Sequence, residues 1–469
     1  MAKQPMLKFV KIERDMPVKR PASDRKEDFR EIYAEYADEK AKEQASRCSQ
    51  CGVPYCQSHC PLHNNIPDWL RLTAEGRLQE AYGISQATNT FPEICGRICP
   101  QDRLCEGNCV IEQSGHGTVT IGAVEKYITD TAWDEGWVED ITPQADRPEK
   151  IAVIGAGPGG LAAADVLRRA GCQVTVYDRY DRAGGLLTYG IPGFKLEKDI
   201  VMRRVEQLKA GGVEFVMNCD VDAAIFAKIR SENDAIIIAT GVYKSRDLEL
   251  QGSEAGGIVK AIDYLTASNR VGFGDSVAEY DSGVLNASGK KVVVIGGGNT
   301  AVEEALYLTN HSDDVTLIHR RDELRAERIL QERLLNHPKI SVIWNKAVES
   351  FEAGENGALH HLNMRDTVTG EDSQLEVDGA FVAIGHAPAT ELFKGKLPMD
   401  DGGYLLTEAG SPKTEVPGVF AAGDVTDHVY RQAVTAAGMG CMAALDAERF
   451  LANIEIDADG HVHEAEAAE

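Results

Sequence analysis

The sequence lacks the long apolar segments of a membrane protein and the leader of a secreted one. No stretch approaches the ~20 consecutive apolar residues that span a bilayer. Residues 1–15 place charges among their apolar residues, unlike the h-region of a signal peptide. These absences favour a cytoplasmic protein without a membrane anchor.

The sequence is also poor in positive charge. Its 49 Lys and Arg residues face 74 Asp and Glu residues, which gives a formal net charge of −25. A chain of this charge repels nucleic acid and anionic membrane surfaces, so we expect neither as a partner. The 469 residues, 43% of them hydrophobic, are enough for about three domains with sizeable cores.

Cysteine is rare outside one segment. None lies between Cys219 and Cys441, whereas eight of the 11 cysteines lie within residues 48–109. In a reducing compartment such a concentration of thiols indicates metal binding rather than a disulfide framework. The eight form two runs: Cys48, Cys51, Cys56 and Cys60, then Cys95, Cys99, Cys105 and Cys109.

The spacing within these runs favours iron–sulfur clusters. Pro61 and Pro100 each follow a cysteine, as in ferredoxin-type sequences, and eight thiols match two [4Fe–4S] clusters by number. Structural zinc remains the alternative, although zinc modules usually pair CxxC knuckles or use histidine, and only one CxxC is present. By spacing alone, all eight cysteines are ligands, Cys95 among them.

The character of the chain changes near Lys150. Residues 1 to about 147 show helical periodicity and no strong strand pattern. After Lys150, short β-branched runs alternate with helical stretches, a pattern typical of parallel α/β sheets. We therefore expect a helical domain followed by an α/β part.

A glycine-rich turn follows the first of these strands. IAVIGAGPGG (151–160) places Gly155, Gly157 and Gly160 in GxGxxG spacing between a strand and a helix. Such glycines permit a tight turn and a close approach to a pyrophosphate, which the helix N-terminus then faces. Asp178 ends the next strand, where an acid binds a ribose hydroxyl; the alternative is a solvated acid at a strand end.

Two later segments indicate that this first site holds FAD. DRAGGLLTYGIP (181–192) follows the acid, and TEVPGVFAAGDV (414–425) lies near the C-terminus. The pattern resembles two-dinucleotide flavoproteins, whose FAD domain is interrupted by an NAD(P) domain. In that family a late aspartate, Asp424 by match, contacts the ribityl chain. Further FAD contacts are predicted at Gly185, Leu186 and Gly423.

A second turn, KKVVVIGGGNTAVEEA (290–305), has the same strand–turn–helix context in GxGxxA form. The next strand ends in basic residues instead of an acid. Guanidinium groups bind a 2′-phosphate, which a carboxylate would repel, so NADPH is predicted rather than NADH. The alternative is a solvated, self-paired charge run. The predicted NADPH contacts are Gly296, Gly298, Asn299, Thr300, Ala301, His319, Arg320, Arg321, Arg325 and Gly385.

These motifs predict an α/β two-dinucleotide-binding flavoprotein, with two Rossmann-like domains on parallel sheets and an N-terminal α-helical iron–sulfur domain. The predicted division is 1–147 for the iron–sulfur domain, 148–241 and 386–451 for the two halves of the FAD domain, 242–385 for the NADPH domain, and 452–469 for a disordered acidic tail.

Residues 1 to about 290 resemble the small (beta) subunit of bacterial NADPH-dependent glutamate synthase. The resemblance rests on RCSQCGVPYCQSHCPLHNNIPDW (47–69), NTFPEICGRICPQDRLCEGNCV (89–110), GTVTIGAVEKYI (117–128) and the GAGPGG turn. Related modules occur in dihydropyrimidine dehydrogenase and in NADH-dependent ferredoxin–NADP oxidoreductases, so the module implies electron transfer.

The resemblance implies interleaved cluster ligation in which Cys95 is not a ligand. The alternative for Glu125 is an ordinary exposed helix acid. The implied ligands are Cys48, Cys51, Cys56 and Cys109 for one [4Fe–4S] cluster, and Cys60, Cys99, Cys105 and a side-chain oxygen of Glu125 for the other.

The same resemblance implies that electrons pass from NADPH through FAD and the clusters to a large catalytic subunit. The resemblance assigns the formation of glutamate from glutamine and 2-oxoglutarate to that partner, because this chain has neither an N-terminal glutaminase nucleophile nor a barrel for FMN. The open alternatives are an NADPH reductase of the thioredoxin reductase or ferredoxin-linked type with another acceptor, and a non-catalytic redox scaffold.

From about Lys291 onward the sequence resembles bacterial thioredoxin reductase, in segments such as VTLIHRRDELRAERIL (315–330) and FVAIGHAPATELF (381–393). The redox-active CxxC of that family is missing, so we expect no dithiol chemistry. Three cysteines are then expected to be buried structural thiols, namely Cys172, Cys219 and Cys441. By the same match, three residues are expected near the flavin ring, namely Arg431, Gln432 and Ala433.

Overall fold

The computed structural model of the protein describes residues 7–25, 28, 30–246, 248–282, 285, 287, 289–309, 311–326, 328–456 and 462–464. The chain divides into two compact units. The first comprises the described residues of 1–241 and 388–469, and the second comprises those of 242–387. The second unit is thus an insertion in the sequence of the first.

The first unit begins with short helices around a small apolar core. In the fourth helix, Ile66, Trp69, Leu70 and Thr73 are buried at i, i+3, i+4 and i+7, the spacing of one helix face. The helices are α1 (Ala22–Arg25), α2 (Asp38–Ala45), α3 (Tyr55–Ser58), α4 (Ile66–Ala74), α5 (Leu78–Gln86), α6 (Pro92–Ile98), α7 (Val110–Gln113) and α8 (Ile121–Asp134).

An α/β region follows, built on short strands that are largely buried in a parallel sheet. β1 (Lys150–Ile154) is buried at every residue except the first, as expected for a strand covered on both faces. The other elements of this region are α9 (Pro158–Arg169), β2 (Gln173–Tyr177), α10 (Leu186–Tyr189), α11 (Lys198–Ala210), β3 (Glu214–Val216), α12 (Ala223–Glu232) and β4 (Ala235–Ile238).

The inserted unit has its own parallel sheet, an antiparallel three-stranded meander and a two-stranded ribbon. Its elements are β5 (Lys244–Ser245), β6 (Ile258–Lys260), α13 (Ala261–Gly272), α14 (Ala278–Asp281), β7 (Lys291–Gly296), α15 (Asn299–Leu308), β8 (Asp314–Ile318), α16 (Arg328–Leu335), β9 (Ile340–Ile343), β10 (Lys346–Ala353), β11 (Leu359–Asp366), β12 (Asp372–Glu376), β13 (Gly379–Ala383) and β14 (His386–Ala387). The parallel sheet has the strand order β6-β13-β7-β8-β9, and β10, β11 and β12 form the meander.

After the insertion the chain returns to the first unit and completes its sheet. β15 (Val419–Ala421) pairs parallel to β4, which gives the strand order β15-β4-β1-β2-β3. α17 (Ala433–Ala452) then packs against α9, and β16 (Ile454–Ile456) pairs antiparallel with β17 (Val462–Glu464). These two strands lie within 452–469, where the acidic composition predicted a disordered tail; residues 457–461 and 465–469 lie outside the described residues.

Helices α9 and α17 approach each other closely because glycine stands at their contact. A Cβ added to Gly440 would lie 2.0 Å from the carbonyl oxygen of Gly159. Alanines continue the contact along both helices, for example Ala163 and Ala444, which are fully buried. The N-terminus of α17 is thereby fixed beside the first glycine turn.

The helical and α/β parts of the first unit are tied together by buried ion pairs. Arg204 on α11 donates from Nε and Nη2 to the two carboxylate oxygens of Glu93 on α6, at 2.8 and 3.0 Å. Asp130 on α8, which pairs with Arg97 on α6 at 2.6 Å, also accepts a hydrogen bond from Arg203 on α11 at 2.8 Å. Helix α6, which carries Cys95, is therefore held against α11.

Candidate cofactor-binding sites

The first glycine turn leaves space at the N-terminus of α9. Gly155 has φ +110°, and a Cβ there would lie 2.3 Å from the carbonyl oxygen of Ala239. A Cβ on Gly160 would lie 1.9 Å from the carbonyl oxygen of Gly155, whereas nothing lies within 4 Å of one on Gly157, the N-cap. The turn thus requires glycine and presents an open cradle to the helix N-terminus, where a pyrophosphate fits.

Asp178 is a buried acid that lies against this turn. Its Oδ2 accepts a hydrogen bond from the backbone N of Ala156 at 2.7 Å, and its Oδ1 accepts one from the backbone N of Tyr180 at 2.9 Å. Burial raises the pKa of the Asp178 carboxyl. The acid is therefore not the solvated residue of the alternative interpretation, and its oxygens retain lone pairs for a ribose hydroxyl.

The segment formed by Gly185 and α10 is held in place by a lysine that was not singled out from the sequence. Lys198 donates from Nζ to the carbonyl oxygen of Leu187 at 2.9 Å and to that of Ile191. The side chain is buried, and burial lowers its pKa to about 7. A lysine at the start of a polar helix gives no sequence signal that distinguishes it from a surface residue.

A carboxylate oxygen without a partner lies beyond the end of β15. Asp424 Oδ1 is buried and has no hydrogen-bond partner among the described residues. Burial, and then the charge of Asp427, raise the pKa of Asp424 to about 7. A buried polar atom without a partner is costly in a folded protein. A ligand hydroxyl at this point would satisfy it, which fits the predicted ribityl contact.

The three residues predicted to lie near the flavin ring follow Asp424 in the chain and reach the start of α17. Asp427 accepts hydrogen bonds from the backbone N of Tyr430 and of Arg431, at 2.9 and 3.1 Å. Arg431 has φ +50°, and its guanidinium lies 5.3 Å from the centroid of the Tyr404 ring. Gln432 is the N-cap of α17, and Ala433 is its first residue.

The second glycine turn repeats this geometry in the inserted unit. A Cβ on Gly296 would lie 2.5 Å from the carbonyl oxygen of Ala383 and 2.6 Å from the Cβ of Ala301. Gly298 is the N-cap of α15, and nothing lies within 4 Å of a Cβ there. Asn299 and Thr300 form the first residues of that helix, and Gly385, with φ +99°, follows β13. The cradle again fits a pyrophosphate.

His319 lies behind this second turn. A Cβ on Gly297 would lie 2.2 Å from the His319 ring, and Nδ1 of that ring donates to the carbonyl oxygen of Gly296 at 2.9 Å. Burial lowers the pKa of His319. The His319 ring therefore packs against the backbone of the turn and is hydrogen-bonded to it.

The three arginines after β8 are exposed to solvent. The backbone N of Arg325 donates to the carbonyl oxygen of Gly297 at 2.8 Å, which holds the segment beside the glycine turn. Neither Arg320, Arg321 nor Arg325 forms an ion pair with another residue that the structure describes. The self-paired charge run of the alternative is thus not seen in this part of the chain.

The eight N-terminal cysteines lie around two cavities. We call them the outer cavity and the inner cavity. Ile121 contributes to the walls of both. The cysteines of the outer cavity are Cys48, Cys51, Cys56 and Cys109. The acidic and thiol side chains of the inner cavity are Cys60, Cys95, Cys99, Cys105 and Glu125.

Glu125 and Cys95 therefore face the same cavity. Glu125 is buried on α8, and its Oε1 accepts hydrogen bonds from Asn64 at 3.1 Å and Asn89 at 3.4 Å. Burial raises its pKa to about 8, so it is not the exposed helix acid of the alternative. Cys95 donates from Sγ to Asn89 Oδ1 at 3.6 Å. Asn64 and Asn89 were not singled out from the sequence, although both lie within the segments that carry the family resemblance, 47–69 and 89–110.

Among the residues that the structure describes, no three His, Cys, Asp or Glu side chains converge closely enough to hold a single metal ion. Cluster ligands need not converge in this way, because each thiolate binds a different iron. All eight are free thiols, so each is available to an iron.

The inner cavity lies next to α17. Val434, the second residue of that helix, forms part of its wall. A Cβ on Gly438 would lie 2.6 Å from Cδ2 of Leu62, a residue of the cysteine segment. The inner cavity and the predicted flavin-ring residues Arg431, Gln432 and Ala433 therefore meet at one helix end.

Two family models match the chain. The model described as dihydropyrimidine dehydrogenase domain II, 4Fe-4S cluster, matches residues 25–137. The model described as pyridine nucleotide-disulphide oxidoreductase matches residues 149–440. The glutamate synthase [NADPH] small chain of Azospirillum brasilense is 51% identical over 447 residues, which are 91% of this chain and 92% of that protein. The chain belongs to the glutamate synthase small-chain family.

Other relatives agree with this membership. The Escherichia coli glutamate synthase [NADPH] small chain is 37% identical over 90% of this chain and 94% of that protein. The putative oxidoreductase UacF of E. coli is also 37% identical, over 91% of this chain but 70% of that protein. The resemblance to this family, which the motifs indicated for residues 1 to about 290, therefore extends well beyond residue 290.

Solved thioredoxin reductases resemble the chain in fold. The Lactococcus lactis enzyme has a TM-score of 0.53 at 28% identity, covering 65% of this chain and 99% of that one. The T. acidophilum enzyme has a TM-score of 0.51 at 25% identity, covering 63% of this chain and 96% of that one. The predicted flavoprotein fold and iron–sulfur domain are confirmed.

The membership confirms the predicted NADPH-dependent oxidoreductase and its FAD, NADPH and [4Fe–4S] cofactors. No helix among the described residues is both long and apolar enough to cross a bilayer.

Proposed function

We propose that the chain is the electron-input subunit of a cytoplasmic glutamate synthase. With its cofactors bound, it would take hydride from NADPH onto FAD and pass single electrons through two [4Fe–4S] clusters to a large subunit that makes glutamate from glutamine and 2-oxoglutarate. The observation that carries the proposal is the position of Val434, which links the inner cysteine cavity to the N-terminus of α17. That contact supports a direct route from flavin to clusters.

For FAD, we propose that the first glycine turn holds the pyrophosphate and Asp178 the adenosine ribose. Gly185 and Leu186, clamped through Lys198, and Gly423 with Asp424 would hold the remainder of the cofactor. The cradle at Gly157 and the orphaned Asp424 oxygen support this assignment. The protein's contribution is orientation, because hydride transfer between bound cofactors requires no acid–base residue.

For NADPH, we propose that the second glycine turn, with Asn299 and Thr300 on α15, holds the pyrophosphate and that the exposed arginines hold the 2′-phosphate. Exposed guanidinium groups that form no ion pair with a described residue are suited to a phosphate dianion. His319, which lies behind the turn, would support the backbone instead of contacting the phosphate.

For the clusters, we propose that the four outer cysteines hold one and that Cys60, Cys99, Cys105 and Glu125 hold the other. The proposal is supported by the division of the thiols between two cavities. Asn64 and Asn89 both donate to Glu125 Oε1, which leaves Oε2 as the oxygen for iron. Cys95 shares the inner cavity, and its bond to Asn89 supports a positioning role for that thiol.

The surface around the outer cavity is suited to a partner protein. No Asp, Glu, Lys or Arg occurs between Arg47 and Asp68, in a chain whose residues are 26% charged. Val53 and Tyr55 in this segment are 64% and 47% exposed. Since exposed apolar groups mark interaction sites when they cluster, and this segment is uncharged, we propose that the large subunit docks here and receives electrons from the outer cavity.

Reconstitution with the large subunit tests this function. We expect NADPH-dependent formation of glutamate from glutamine and 2-oxoglutarate when both subunits are present. V53E should abolish glutamate formation while leaving NADPH reduction of a small acceptor such as ferricyanide unchanged. V368E, at a valine that is 76% exposed in the inserted unit, is the matched control. Ferricyanide reduction without any glutamate formation would contradict the proposed partner.

A second function has one observation in its favour. UacF contains the same combination of regions within a longer chain, so this architecture also occurs outside glutamate synthases. The acceptor would then be another protein. In that case V53E would still block electron transfer to that acceptor, but addition of the large subunit would give no glutamate.

A further inference from the structure

Arg47 is a buried cation immediately before the first cysteine of the outer cavity. Its side chain has no exposed surface. It donates hydrogen bonds to four backbone carbonyl oxygens: Ile12 at 2.9 Å, His116 at 2.8 Å, Gly117 at 2.9 Å, and Thr118. These bonds satisfy its donors but leave its positive charge without a carboxylate partner among the described residues.

A buried charge normally lies beside an opposite charge or a metal centre, because removing an ion from water is costly. Arg47 directly precedes Cys48, one of the four outer cysteines, and the carbonyl oxygen of Thr118 that it binds directly precedes Val119 in the wall of the outer cavity. The buried positive charge of Arg47 therefore lies beside the outer cavity.

The inner cavity differs in its charged neighbours. Its wall contains Glu125, which the proposed assignment makes a ligand, and Glu106 directly follows Cys105 in the chain. Arg14 balances Glu106 through an ion pair at 3.0 Å, but no buried guanidinium faces Glu125 among the described residues. The two cavities thus differ by a cation on the outer side.

We propose that Arg47 raises the reduction potential of the outer cluster above that of the inner one and so directs electrons toward the partner. A thiolate-bound cluster is negatively charged, and its reduction adds one more negative charge, so a nearby fixed cation stabilises the reduced form. The proposal rests on the proposed cluster assignment. Arg47 acts on the potential and is a positioning residue for the thiolates, not a catalytic residue.

The test is a mediated redox titration of the full chain with its cofactors, followed by EPR, without NADPH or the large subunit. R47Q should lower one cluster potential by at least about 59 mV, a tenfold change for one electron, and leave the other unchanged. R47K, which keeps the charge, should shift it by less. R168Q is the matched control: Arg168 is buried and donates to the carbonyl oxygens of Gly211 and Cys172.

Three outcomes would overturn the proposal: no shift in R47Q, equal shifts in R47Q and R47K, or a common shift of both clusters. If R47Q fails to retain iron, R47K decides: full iron content supports a requirement for charge, and loss as complete as in R47Q shows a purely structural role. A wild-type protein without iron and acid-labile sulfide would instead overturn the proposed function, so the two failures are distinguishable.

Discussion

The ion pair between Glu93 and Arg204 offers a sharp test of how the iron–sulfur region is held. Both side chains are almost completely buried, and the pairing is bidentate at 2.8 and 3.0 Å. The Arg204 guanidinium also lies 5.1 Å from the Trp133 ring centroid and 5.6 Å from that of Phe91. R204M removes the cation, keeps most of the side-chain volume, and leaves Glu93 buried without its partner.

The expected cost follows from that burial. Removing one partner of a buried pair destabilises a protein by about 3–5 kcal/mol, because the other charge is left uncompensated. Each kcal/mol lowers Tm by about 2–4 °C in a large domain, so R204M should lower Tm by about 10 °C. E93Q/R204M should recover part of this loss, because it removes both charges.

Thermal unfolding of the protein with its cofactors, followed by calorimetry, measures these differences. K209M is the control, since Lys209 pairs with Glu206 at 2.8 Å on the exposed face of the same helix and should contribute less than about 1 kcal/mol. A loss in R204M no larger than in K209M would refute the reasoning. So would a double variant as unstable as the sum of the single ones.

Three further predictions concern the cofactor sites. R320Q/R321Q should raise KM for NADPH at least about tenfold, since a hydrogen bond to a charged group is worth about 1.5–3 kcal/mol; an equal rise for NADH would contradict a 2′-phosphate contact. In iron analysis, E125Q should lose more of the inner cluster than C95S, and the reverse order would make Cys95 the ligand. In the FAD-free protein, the unfolding free energy should fall as pH rises from about 4 to about 7. The folded state there holds the Asp424 proton more tightly than the unfolded state does, and D424N should flatten this part of the profile in urea denaturation, whereas an unchanged profile would contradict it.

Local patterns made much of the fold predictable. Each glycine turn lies within one strand–turn–helix unit, so its spacing alone indicates a helix N-cap, and Gly157 and Gly298 hold those positions. The alternation of strands and helices after Lys150 predicted the parallel sheets, which are present in both units.

Long-range partners could not be predicted in the same way. Spacing within the cysteine runs does not show that Cys109 shares a cavity with Cys48, 61 positions earlier in the chain; only the family resemblance implied it. Arg47 and Asn89 begin the two cysteine segments but are not themselves cysteines, and Lys198 lies outside every motif, so none of the three was singled out. Their roles depend on carbonyl, amide and carboxylate groups that only the folded chain brings together.

The burial of Glu125 and the side-chain direction of His319 could not be predicted from the sequence either. Glu125 lies in a helix with ordinary periodicity, yet it is buried at the inner cavity. His319 stands beside two exposed arginines in the sequence, but the end of β8 turns its ring behind the glycine backbone. In both cases the side-chain direction depends on tertiary packing.

The most direct test of the central claim is an anaerobic titration of the protein with NADPH, followed by flavin absorbance and by EPR of the clusters, with NADH as the control. The account predicts that NADPH bleaches the flavin rapidly, that cluster signals follow it, and that NADH acts far more weakly. A flavin that stays oxidised, or one that bleaches while the clusters accept no electrons even in the presence of the large subunit, would contradict an electron-input role.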